Sequence, residues 1–180
     1  IMANGTLKVS NIETSSGSGT ITLGQSGETV DMSNGTITLN SSMKNTPAFK
    51  ATLSGDQSIS DNTTVKITFD TETFDTDSAF ASNKFTVPSG QAGKYNIISQ
   101  LTFYDGSDHI TKVVLSIYKN GSAVTEAIFN LSTEDMGRFA LCNSNILDLA
   151  VSDYIEIYGF ADTSDSGNVS ILSGNQQSYF

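Results

Sequence analysis

His109 is the one histidine of the 180-residue chain, and it lies in "YDGSDHIT" with Asp105 and Asp108 close by in sequence. An imidazole beside carboxylates is the raw material of general base catalysis, in which an acid orients the ring and a nucleophile gives up its proton. No nucleophile motif accompanies it, so an exposed loop histidine among turn-forming aspartates is the favoured reading. Cys142 is the single cysteine. One histidine and one cysteine cannot supply the tetrahedral shell of zinc within a chain. Cys142 sits in "RFALCNSNILDL", an apparent strand, where an inert, buried thiol is expected.

The remaining chemistry is carboxylate and phenol. Acids cluster at Asp70, Glu72, Asp75 and Asp77, and pair at Asp105 with Asp108, Glu134 with Asp135 and Asp162 with Asp165. None has the spacing of an EF-hand loop, so surface solvation competes with calcium as their role. Glycoside cleavage would need two acids held ~5–10 Å apart across a cleft. No catalytic residue is assigned. Tyr104, Tyr154 and Tyr158 alternate with core-type Ile97, Leu101, Phe103, Ile155 and Ile157, so they should face outward, and Tyr118 with them. Outward aromatic residues could stack on sugar rings, but they more often cover subunit contacts, which is the preferred reading.

The elements that hold these residues read as strands. "TTVKITFD" (63–70), "KFTVP" (84–88), "KYNIISQLTFYD" (94–105), "KVVLSIYKNG" (112–121), "DYIEIYGF" (153–160) and "NVSILSG" (168–174) alternate apolar and polar residues. Turn chemistry separates them, as in "PSGQAG", "YDGSD" and "KNGS". No convincing helix is present. Short, regular, one-faced strands predict an all-β two-sheet sandwich or jelly roll.

The chain divides near Pro47. All sixteen Phe and Tyr residues follow it, and residues 1–46 carry only three acids and two bases. The later segment holds the other sixteen acids and seven bases, and so nearly all of the net charge of −10. No basic stripe exists for nucleic acid, and no apolar run of ~18 residues exists for membrane insertion. The opening residues lack the charged and apolar regions of a signal peptide.

Residues 1–46 repeat one phrase: "GTLKV" at 5–9, then "GTITL" at 19–23 and 35–39. Each would be a short strand with one apolar stripe, Leu7 and Val9, then Ile21 and Leu23, then Ile37 and Leu39. Three such rungs cannot bury a core in one chain, because a solenoid needs stacked neighbours and caps. Three chains around an axis can. A trimeric β-stalk is therefore predicted, with a flexible Ser/Gly linker as its rival.

Residues 47–180 resemble the trimeric jelly-roll superfamily of the complement globular head and tumour necrosis factor. The phrases "PAFKA", "TTVKITFD", "FTVPSGQAGKYNI", "LSIYKNGS", "LDLAVSDYIEIY" and "NVSILSGNQQSYF" follow in family order. "GSAVTEAIFNLSTEDMGR" departs from the pattern as a long loop, and relatives usually continue the last strand with further apolar residues. The resemblance implies a jelly roll of about ten strands, assembled as a homotrimer with both termini at its base. Some relatives bind calcium near the apex, where Glu134, Asp135, Asp162 and Asp165 should lie; no other cofactor is expected. The N-terminal stretch resembles bacteriophage tail-fibre and appendage proteins, especially marine ones. The expectation is a virion structural protein on the particle surface, assembled in the host cytoplasm. It would dock on other virion proteins through residues 1–46 and present its head to a host-surface glycan or protein. A secreted or surface lectin-like module is the alternative.

Overall fold

The computed structural model describes residues 47–131 and 134–180, together with Gly27 and Thr29. The stalk residues Leu7, Val9, Ile21, Leu23, Ile37 and Leu39 lie outside the described residues, as does the proposed partition at 46/47 on its N-terminal side.

Twelve strands form among the described residues, and no helix. They are β1 (Phe49–Thr52), β2 (Gln57–Ile59), β3 (Thr63–Lys66), β4 (Thr71–Asp75), β5 (Phe80–Ala81) and β6 (Lys84–Thr86). The longer β7 (Gly93–Tyr104), β8 (Ile110–Lys119), β9 (Ser122–Asn130), β10 (Arg138–Leu149), β11 (Tyr154–Thr163) and β12 (Val169–Ile171) follow. Every pairing is antiparallel. One layer runs β10-β7-β12-β2, and the other runs β5-β6-β11-β8-β9, with β3 also on β11. Tyr179 bridges Thr52 of β1 to Gln100 of β7, and Ala51 and Phe180 exchange backbone hydrogen bonds of 2.7 and 2.9 Å. The β1-β4 pair thereby extends the first layer.

The inward residues are those that the alternation marks. Ile67, Phe69, Ile97, Leu101, Phe103, Ile155 and Ile157 are buried between the layers. Phe49 stacks on Phe80 and Phe85 at 5.0 and 5.1 Å and meets Phe180 edge-on at 4.8 Å, closing one end of the core. Gly159 is inward on β11, where a Cβ would come within 3.0–3.2 Å of methyl groups of Ile59, Ile67 and Leu101. Close packing leaves no room there for a side chain.

Two turns follow from their residues. Asn120 and Gly121 both take positive φ, 53° and 79°, and make the two-residue turn whose twist matches a hairpin. That turn launches β9, a correction to the long loop expected between Lys119 and Arg138. Its alternation is blurred because Ala and Glu share its faces with Val, Ile and Phe, so pairing with β8, more than pattern, makes it a strand. The second turn is "PSGQ", with Gly90 at φ 76° and Gln91 N donating to Pro88 O at 3.2 Å.

Asn143, on β10, is buried and ties the layers together. Its Nδ2 donates to Leu115 O on β8 at 3.0 Å and to Thr125 O on β9 at 3.3 Å. Further along β9 and β10, Phe129 and Phe139 stack across the layers at 4.1 Å.

Candidate functional site

The four tyrosines face outward as expected, but on two different surfaces. Tyr104 ends β7 in the first layer, whereas Tyr118, Tyr154 and Tyr158 lie on β8 and β11 of the second. On the second layer the aromatic faces are occupied. Tyr118 and Tyr158 stack on each other at 4.0 Å, Lys84 Nζ sits 4.5 Å over Tyr154, and Lys112 Nζ sits 5.2 Å over Phe160. Between them Glu156, almost wholly buried, pairs with Lys66 at 2.7 Å, and that ammonium also donates to Ser82 O at 3.1 Å. Burial, and then the Glu156 charge, hold the Tyr158 phenol above its ordinary pKa. Platforms so covered do not offer three bare rings to a sugar.

The outward face of the first layer is different. Phe74, Ile98, Tyr104 and Ile146 are 48%, 44%, 43% and 67% exposed. The register sets Ile98 beside Ser144 and Ile146 beside Asn96, so both isoleucines stand on this one face. A groove of about 450 Å³ runs between Phe74, Ile98 and Tyr179. Cys142 is exposed here, opposite Gln100, which corrects the expectation of a buried thiol. Alternation places it outward because Leu141 and Asn143 take the inward positions.

At one end of the sandwich the loops after β7, β9 and β11 meet. His109 Nδ1 lies 2.9 Å from Asp165 Oδ2 and 3.2 Å from Asp105 Oδ2, with neither oxygen in line for a hydrogen bond. Sequence proximity suggested Asp105; Asp165 arrives only through the fold. The carboxylates have local work. Asp105 accepts from the N–H groups of Ser107 and His109, and Asp165 from Gly167 N at 2.9 Å. That last bond holds the Asp165 carboxyl below the ordinary range; burial opposes it, and the nearby His109 adds a smaller lowering. The Ser164 hydroxyl donates to Asp135. Gly137 is packed so tightly against this loop that a Cβ would meet Asp105 O at 2.8 Å and Asp108 closer still. Of the calcium candidates, Asp135 accepts from Ser164, the residue before Asp165, while Glu134 is exposed and Asp162 receives Thr111 Oγ1 on its backbone oxygen. Among the described residues no group of three or more His, Cys, Asp or Glu side chains could hold a metal. Among the described residues the carboxylates are engaged by turn N–H groups and His109 Nδ1 faces carboxylates alone, an arrangement that clasps the loops together.

No family model and no curated protein matches the chain in sequence. Solved structures do match in fold. The Eiger TNF of S. frugiperda superposes with a TM-score of 0.51 at 13% identity, over 73% of this chain and 85% of that one. The globular domain of zebrafish complement 1qA protein gives 0.49 at 14% identity, over 74% of this chain and 95% of that one. Murine APRIL gives 0.49 at 10% identity, over 70% and 97%. The likeness is one of fold, and the phage resemblance of the N-terminal stretch gains no support from it. With its antiparallel layers and this strand order, residues 47–180 are similar in fold to the jelly-roll heads of the complement and tumour necrosis factor superfamily.

Proposed function

We propose that this chain is a non-catalytic attachment or decoration protein whose head self-associates as a homotrimer. The contact would be the outward face of β10-β7-β12-β2. The contrast between the two outer surfaces carries the reading. One leaves Phe74, Ile98, Tyr104 and Ile146 bare, and bare apolar groups gathered on one surface mark an interaction surface. The other leaves Val124 and Ile128 of its edge strand β9 open, at 41% and 51%, but covers its rings with lysines and with each other and pairs its buried acid, as a solvent-facing surface does. The head fold shared with Eiger TNF agrees with it.

The repeats of residues 1–46, which need neighbours to bury their stripes, support a fibre-like attachment segment and hence a virion appendage such as a short phage tail fibre. The lectin-like alternative is favoured by a polar trough on the second layer, described below. The virion reading is tested by imaging the parent particle. Density for this chain on a threefold of the tail or capsid is expected, and a purified particle without it overturns the reading. Light scattering of the full chain at micromolar concentration should report three copies; a monomer overturns the trimer.

A further inference from the structure

The surface turned away from the proposed contact holds a depression that the sheet register creates. At the centre of the second layer, β8 places two small side chains outward, Val114 and Ser116. Their cross-strand neighbours are large: Phe160 and Tyr158 on β11, and Ile128 and Glu126 on β9. A row of small residues between two rows of large ones is a trough. Its volume is about 180 Å³. Pockets for drug-sized ligands begin at about 300 Å³, so the trough has room for one ring.

The lining specifies a chemistry. Ile128, half exposed, is the open apolar wall, and the Phe160 ring, with Lys112 Nζ 5.2 Å over it, is the other. Ser116, Thr64 and Tyr118 bring hydroxyls that can donate or accept. Glu126 is an acceptor only and is held in place by Ser116 Oγ at 3.2 Å, and Lys112 at the end of the trough is a donor only. One acid and one base leave the trough neutral. A purely apolar ligand would strip water from Ser116 and Glu126 without replacing their bonds. An anionic ligand would meet the Glu126 carboxylate, and a peptide lying in the trough would find the backbone of its floor strand, β8, already paired on both sides; the free edge of the sheet is the outer side of β9, beyond the trough wall. A neutral pyranose matches all of these: it has C–H faces for the walls and hydroxyls that donate to an acid and accept from an ammonium.

We propose that the trough over Val114 and Ser116 binds one neutral hexose unit of a surface glycan, with Glu126 as its principal acceptor. The proposal deepens the attachment reading and rests on it. Three troughs on one particle would turn a millimolar contact into useful avidity.

Saturation-transfer NMR of the full chain tests it with the methyl glycosides of galactose, glucose and mannose, with free N-acetylglucosamine, and with sialic acid as the anionic comparator. At least one neutral sugar should receive saturation. Its binding should weaken at least about tenfold in Glu126→Gln and in Ile128→Asp. Lys94→Ala, on the other layer, should bind as the parent does. No transfer to any of the four neutral sugars, preferential binding of sialic acid, or transfer that survives Glu126→Gln overturns the site. If Ile128→Asp fails to fold, Glu126→Gln decides alone. The mass of the same sample separates the two ideas: a trimer without sugar binding sinks only the site, and a monomer that binds sugar sinks only the trimer.

Discussion

Ile146→Asp is the sharpest test of which face is the contact. Ile146 is 67% exposed, the barest large apolar side chain among the described residues. Burying an isoleucine fully is worth about 1.5–3 kcal/mol, so covering the bare two thirds contributes about 1–2 kcal/mol per chain. In a threefold assembly that becomes about 3–6 kcal/mol, before the added cost of desolvating a carboxylate. At about 1.4 kcal/mol per decade, the trimer dissociation constant should rise by roughly two to four orders of magnitude. Sedimentation velocity across a concentration series reads this directly, with circular dichroism to establish that the fold is kept. The parent should sediment as a trimer at micromolar concentration and the variant as a folded monomer. Ile128→Asp, at a position 51% exposed on the second layer, should leave the mass unchanged. A variant that stays trimeric with an unaltered constant would refute the reasoning and move the assembly contact to residues 1–46. A parent that is monomeric throughout would refute it outright.

Asn143→Ala removes the donor shared by Leu115 O and Thr125 O inside the sandwich, and should cost about 1–3 kcal/mol in a denaturant titration of the head. An unchanged midpoint would show that the two carbonyls are satisfied without it. On the acid side, Lys119, then Asn120 and the Ala150 N–H, lower the Asp153 carboxyl to about 2. Bonds from Ser173 to Asp56 and from Ser54 to Asp70 lower those two in the same direction. A depressed folded-state pKa means stability present above the unfolded value near 4 and lost as pH falls toward 2. The melting temperature should therefore decline through that window, and less steeply in Asp153→Asn; a flat profile for the parent would contradict the bonding pattern.

Most strands were legible because one wall of each is buried and the other wetter, which imposes a two-residue period on much of β7 and β11; β8, at the centre of its sheet, is buried continuously from Val113 to Ile117. The Asn120-Gly121 turn was legible because few other dipeptides take positive φ twice. β9 was not, since its side chains carry a mixed signal and its partner supplies the order. The outward tyrosines could be read singly, but their division between two surfaces could not, because alternation says which way a residue points and not which sheet it joins. His109 looked like a loop residue beside Asp105. Its second carboxylate, Asp165, lies on a loop that only the pairing of β8 with β11 brings near.

Composition and periodicity alone determined an acidic, all-β head with an aromatic core, because these depend on local side-chain chemistry and strand geometry. Tertiary structure decided which residues share a face. Phe74, Ile98 and Ile146 are scattered along the chain, and they become one bare surface only through long-range register. The same holds for the trough at Val114 and Ser116: small residues become a depression only when Phe160 and Ile128 are set on either side of them.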